Sequence, residues 1–233
     1  MADSAQRRLV VCVNAAAWLA PPVAKVRAAR AVFSWTGEHF PLPLQSELYL
    51  RARLDVPDAA ASALLDRRRA LYEIVGGNPG GRYEFVISES AVERLECSVS
   101  PAVASEQFRH LLALMDRYPA VGIRLLPFTA AVSVDRGFTI LYFHGAERNL
   151  AYPESCHDLV LRDPRALRAC EQSRARMSRG ALSVADTRLV LTDRHRRLAE
   201  HGLAALPGTG LSHPPVALVP GDGSRAQASG RSR

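Results

Sequence analysis

Apolar positions recur along this chain in two rhythms, one helical and one alternating. Leu64, Leu65, Leu71, Tyr72 and Val75 fall at helical spacing and predict a helix over residues 59–75, opened by Pro57 and Asp58. The run Gly76-Gly77-Asn78-Pro79-Gly80-Gly81 stops it with strong, hairpin-like turn chemistry. Arg82–Ser88, rich in Tyr, Phe, Val and Ile, then reads as a strand. Ser100 followed by Pro101 is a cap-then-proline helix start, and Ala104, Phe108, Leu111, Leu112 and Met115 line one face of that helix. Val121–Leu126 and Phe138–Phe143 are the next strands, separated by a loop over Pro127–Gly137. Asp163-Pro164 opens another helix in the same manner. Ser183 with Asp186 forms a capping box for the last one, which runs to about Glu200. The pattern is α+β, with helices flanking a small, mostly antiparallel sheet.

Composition defines the boundaries. Residues 205–233 are dominated by Gly, Pro and Ser and predict a disordered tail, while residues 1–25 form an atypical N-terminal segment. The domain proper is expected over 26–204. In the N-terminal segment, Arg7 and Arg8 precede the apolar stretches Leu9–Val13 and Ala15–Ala20, loosely as in a signal peptide. Asn14 interrupts the run, Pro21-Pro22 follows it, and no A-x-A site stands in place, so a cytoplasmic protein is expected. No apolar run has the length of a membrane span.

The net charge is +7, and of 30 basic residues only Lys25 is a lysine. Arginine engages carboxylates and phosphates in bidentate fashion, so an acidic partner or nucleic acid is the natural counterpart of such a body. Arginine-rich usage also follows from GC-rich coding, which weakens charge as a functional signal.

Chemistry is sparse. Cys12, Cys97, Cys156 and Cys170 are far apart and form neither a disulfide framework nor a zinc finger. Nucleophile elbow, Walker loop, dinucleotide fingerprint and H-E-x-x-H are all missing. The glycines at 76–81 lead into a strand, so no helix N-terminus is there to hold phosphate. Glu154-Ser155-Cys156-His157-Asp158 brings thiol, imidazole and carboxylate together, but neighbours in an extended chain diverge, and a surface loop is expected. The histidines show no metal-ligand spacing, and His110, one turn after Glu106, suits an exposed ion pair. Glu84 and Glu89 bracket a strand without any sign of a perturbed carboxylate. The expectation is a non-enzyme without cofactor or metal.

Several short segments occur in the order of a known family. Phe40-Pro41-Leu42-Pro43-Leu44-Gln45-Ser46-Glu47-Leu48-Tyr49-Leu50-Arg51-Ala52 resembles the V-P-G-L-L-Q-T-E-D-Y-A-R-A stretch of antitoxin-like (WhiJ-type) actinobacterial transcriptional regulators. Arg67-Arg68-Arg69-Ala70-Leu71 resembles their R-x-x-R-Q-x-x-L run, Ser88–Val92 their D-E-A-A-L, and Glu106-Gln107-Phe108 their M-x-x-Q-L. Leu125–Phe128 is similar to V-L-P-F, Gly137–Leu141 to G-x-F-x-L-L, Ala151–Glu154 to V-Y-V-E, and Ala181–Ser183 to the closing A-L-S. Leu42 replaces a family glycine and Arg69 a family glutamine; the glycine and histidine that follow L-P-F are replaced within Thr129–Val134.

Members of that family join an XRE-type helix-turn-helix to a C-terminal domain of unknown function. Residues 1–25 are too few for the former. The resemblance therefore implies a regulatory, partner- or ligand-binding domain of the toxin–antitoxin type. Its partner would be a small acidic protein encoded nearby, and DNA would be reached only indirectly or through a separate helix-turn-helix. Alternatives are direct DNA binding through arginine–phosphate contacts and a small-molecule sensor with a pocket near Glu89, Phe128 and Tyr152.

The candidate binding residues are Tyr49, Arg51, Glu89, Gln107, Phe128, Tyr152 and Glu154. Each has a plainer reading. Tyr49 and Arg51 form an exposed interface patch or a cap over the core; Leu125 and Phe128 pack as core and turn. Gln107 satisfies a backbone group across the fold, and Glu89 and Glu154 pair with arginines.

Overall fold

The computed structural model describes residues 21–53, 58–132, 134, 136–153 and 163–204. Five strands form one sheet: β1 (Ala31–Thr36), β2 (Arg82–Ser88), β3 (Val121–Leu126), β4 (Phe138–Tyr142) and β5 (Leu150–Pro153), in the spatial order β3-β2-β1-β4-β5. β1 runs parallel to β2 and β2 to β3, whereas β4 is antiparallel to both β1 and β5. The class is α+β as expected, but the sheet is mixed rather than mostly antiparallel. The reason lies in the connections: parallel neighbours need a crossover, and helical segments supply one between β1 and β2 and another between β2 and β3.

Seven helices are described: α1 (Val23–Ala28), α2 (Glu47–Arg53), α3 (Asp58–Gly77), α4 (Glu89–Ser98), α5 (Pro101–Arg117), α6 (Pro164–Gly180) and α7 (Val184–Ala204). The caps read from the sequence are the ones used. Ser100 Oγ accepts the Val103 N–H, Asp163 accepts those of Arg165 and Ala166, and Ser183 Oγ both accepts the Asp186 N–H at 3.0 Å and donates to its carboxylate at 2.6 Å. The glycine-rich turn after α3 joins a helix to a strand, with Gly81 N–H donating to the Asn78 carbonyl, and is not a hairpin.

Alternation along the strands divides the core. One sheet face carries Val32, Tyr83, Phe85, Ile87, Val121, Ile123, Leu125, Leu141 and Tyr152, packed with Phe108, Leu111 and Met115 of α5, Leu71 and Ile74 of α3 and Leu191 of α7. The opposite face carries Phe33, Trp35, Val86, Phe138, Ile140 and Ala151 beneath Met177 and Ala181 at the end of α6. Burying each of these large side chains contributes about 2 kcal/mol, which makes both layers necessary to the fold.

The second face also holds charge. Glu84 accepts from Arg124 at 3.4 Å and Arg174 at 3.3 Å, and Arg124 donates to the carbonyls of Ser178, Ala181 and Leu182. Arg124 thereby satisfies one carbonyl in the last turn of α6 and two just beyond its end. Glu84 thus lies within β2 rather than at its edge, and its role is to neutralise two arginines under a helix.

Candidate functional site

The first sheet face is apolar except at one place. Ser34 and Thr36 follow Val32 on it, and Thr139 lies directly across from Ser34 in the β1–β4 register. Ser34 Oγ and Thr139 Oγ1 share a hydrogen bond of 3.0 Å. In cross-strand order Tyr152, Thr139, Ser34 and Phe85 form one row. Above it is a cavity of about 100 Å³. Its floor is this row with Val32 and Thr36; its walls come from Leu71, Tyr72 and Val75 of α3, Leu114 and Tyr118 at the end of α5, and the segment Phe40–Leu44. Arg67, His39, Trp35 and Pro153 also line it. The Thr36 hydroxyl and the Arg67 Nε are buried and have no hydrogen-bond partner. Native proteins seldom leave such groups unsatisfied, so each marks a place where a polar contact is missing.

The wall Phe40–Ser46 is held by side chains rather than by regular structure. Pro41 and Pro43 flank Leu42 in a single 3-10 turn, Leu42–Leu44, which leaves carbonyls without helical partners. Gln107, fully buried on α5, accepts the Ser46 N–H and donates to the Leu44 carbonyl, both at 2.7 Å. Gln45, also fully buried, donates from Nε2 to the Phe40 carbonyl at 2.6 Å. Arg68 donates to the Gln45 carbonyl, and the Tyr72 hydroxyl donates to that of Pro43 at 2.7 Å. Four carbonyls in six residues are thus bonded by side chains from α3, α5 and the loop itself. Ser46 Oγ in turn accepts the Tyr49 N–H in the first turn of α2.

Behind Tyr72 stands His110, whose Nε2 is 3.1 Å from the hydroxyl. The single phenolic proton is used on Pro43, so the oxygen accepts from a neutral His110 carrying its proton on Nε2. Burial, with Arg68 and Arg109 nearby, pushes the imidazole down to about 4. Burial raises the Tyr72 phenol far above its ordinary value, so it too is neutral. His110 is therefore a half-buried hydrogen-bond donor and not the exposed partner of Glu106, which pairs with Arg109 at 3.1 Å instead.

The candidate residues separate into groups. Tyr152 lies on the cavity floor. Gln107 does what its plainer reading expected, bonding backbone across the fold, and it does so twice. Tyr49 is buried edge-on against Phe40 at 5.7 Å, whereas Arg51 is exposed with Glu47 and Asp58. The two do not form a patch, because neighbours two apart on a helix face different ways. Glu89 accepts the Phe128 N–H at 2.7 Å rather than an arginine, and Phe128 is 66% exposed, not packed. Both stand at the ends of β2 and β3, outside the cavity lining, so a pocket uniting them with Tyr152 does not form. Glu154 and the rest of Glu154–Asp158 lie outside the described residues, as do the tail and most of the N-terminal segment.

Sequence reasoning missed Ser34, Thr36, Thr139 and Arg67. The available signal was Val32-Phe33-Ser34-Trp35-Thr36, where polar residues alternate with large aromatics in a strand buried on both faces.

Among the described residues no group of His, Cys, Asp or Glu could hold a metal ion, and no helix is long and apolar enough to cross a membrane. No curated protein and no solved structure matches the chain. A family does: the chain matches Domain of unknown function (DUF5753) over residues 23–193, from the start of α1 into α7, and it belongs to that family.

Proposed function

We propose that this chain is a non-catalytic regulatory domain of the antitoxin-like transcriptional regulator type, and that it works by binding a small molecule in the cavity beneath Phe40–Ser46. The observation that carries the reading is an apolar cavity in the core whose lining includes buried polar groups without partners. Convergent polar groups in a largely apolar cavity are the usual composition of a ligand site. The lining holds one histidine, His39, and no Asp or Glu to orient it, so no carboxylate–histidine–hydroxyl relay is assembled there.

The resemblance lends support from another direction. Three of its segments, Phe40–Ala52, Arg67–Leu71 and Glu106–Phe108, meet at the one loop that walls the cavity. In this reading a small acidic protein is the downstream partner, and DNA is reached through a separate helix-turn-helix.

Toluene is a suitable first probe, since dry apolar cavities of similar size, about 150 Å³, take up small aromatics. Ligand that binds only the native state raises the melting temperature. The full chain is expected to melt several degrees higher in toluene-saturated buffer, and Val75→Phe, which fills the space with its own ring, is expected to show no rise. An equal rise in both proteins, or none in either, contradicts the reading.

A further inference from the structure

Arg67 lines the cavity and has no counter-ion among the described residues; its neighbour Arg68, outside the lining, also meets no carboxylate and bonds the Gln45 carbonyl, whereas several other partly buried arginines are ion-paired. Arg124 and Arg174 share Glu84, and Arg194 pairs with Glu93 at 2.5 Å and Glu96 at 3.0 Å. Among the described residues no carboxylate lies within ion-pair distance of Arg67, although the adjacent Asp66 bonds Arg69 at 2.9 Å on the outer face of α3. Arg67 stands four residues before Leu71 and eight before Val75, so the three share one helix face, and all three line the cavity. Its guanidinium donates to the Pro21 carbonyl, while its Nε is buried without a partner.

A guanidinium in an apolar wall with a buried, unused N–H is costly unless something satisfies it. Burial lowers the pKa of Arg67, consistent with that cost, yet an arginine remains charged at neutral pH. The Nε–H and a neighbouring guanidinium N–H present the side-on fork that a carboxylate engages with two parallel hydrogen bonds. The rest of the lining sets the remainder of the ligand. A cavity of about 100 Å³ walled by Leu71, Val75, Phe85 and Leu114 takes a single ring or a short branched chain.

We infer that the cavity binds a small aromatic or branched-chain carboxylic acid, with its carboxylate on Arg67 and its apolar body over the Ser34–Thr139 floor. This inference rests on the reading of the cavity as a ligand site.

Isothermal titration of the full chain with benzoate and with benzyl alcohol, its neutral counterpart of similar shape, tests it. Benzoate is expected to bind at least about tenfold more tightly, the ordinary worth of a hydrogen-bonded charge. Arg67→Gln is expected to abolish that preference. Equal affinities of the wild type for the two compounds overturn the carboxylate assignment and leave the cavity reading standing, and this arm does not depend on the variant folding. A benzoate preference that survives in Arg67→Gln places the anion elsewhere and overturns the assignment as well. Failure of benzoate, benzyl alcohol and toluene alike overturns both.

Discussion

Replacing Gln107 by Leu is expected to destabilise the protein by about 4 kcal/mol, far beyond the effect of a typical surface change. Leucine fills nearly the same space, so the loss is not a cavity effect. It arises because the Ser46 N–H and the Leu44 carbonyl, both bonded at 2.7 Å by one side chain, are left in the core with no partner. Each orphaned backbone group costs about 1–3 kcal/mol. Gln107→Glu separates geometry from hydrogen-bonding capacity. Its carboxylate can still accept from Ser46 but cannot donate to Leu44, so it is expected to lose stability at neutral pH as well. Urea unfolding of the three proteins measures this. A loss below about 1 kcal/mol for Gln107→Leu means that the loop does not depend on the clamp.

Acid is expected to weaken the fold through His110. The unfolded chain binds a proton on this side chain with a value near 6.5, but the folded chain does so only near 4, because burial disfavours the imidazolium. Above 6.5 neither state is protonated and the full stability is present. Between 6.5 and about 4 only the unfolded state gains the proton, so stability falls as pH falls. The gap is worth about 3 kcal/mol, lost in full below about 4. Carboxylates also titrate towards the acid end, so the informative window is pH 7 to 5. In His110→Leu the Tyr72 hydroxyl keeps its donation to Pro43, and stability is expected to be nearly flat across that window. Equal slopes for the wild type and the variant assign the dependence to other groups.

Protonation of His110 also bears on the site. An imidazolium beside Arg68 and Arg109 brings a third positive charge against Tyr72, whose ring carries the Arg68 guanidinium at 5.7 Å. Tyr72 anchors Pro43 and lines the cavity, so loop order and ligand affinity are linked through the same residue.

Local signals made much of this fold legible. Caps at Ser100, Asp163 and Ser183 placed three helices at their true starts, because a capping oxygen acts on N–H groups only two or three residues away. Arg82–Ser88 and Val121–Leu126 were legible as strands because they are short, β-rich and bounded by turns. What stayed hidden was long-range. β1 is buried on both faces and carries Ser34 and Thr36, so no simple alternation announces it. Parallel pairing of β1 with β2 depends on crossovers that no single segment encodes.

The site was legible only in part, for a related reason. Gln107 could be singled out as a polar residue beside an apolar helical stripe, but its two partners are 61 and 63 residues away. Arg67 is one of three consecutive arginines, and only the helix geometry turns it inward while Arg69 faces Asp66. Phe128 misled because an apolar side chain after a strand usually packs, whereas here a single 3-10 turn leaves it exposed.

The central claim, that the space under Phe40–Ser46 admits a ligand, is tested most directly by a methyl-labelled NMR titration of the full chain with toluene. The account predicts shifts at Val32, Leu71, Val75 and Leu114, which line the cavity, and none at Leu65 or Val190, which do not. Shifts confined to exposed residues such as Leu48 and Leu189, or no shifts at all, contradict it.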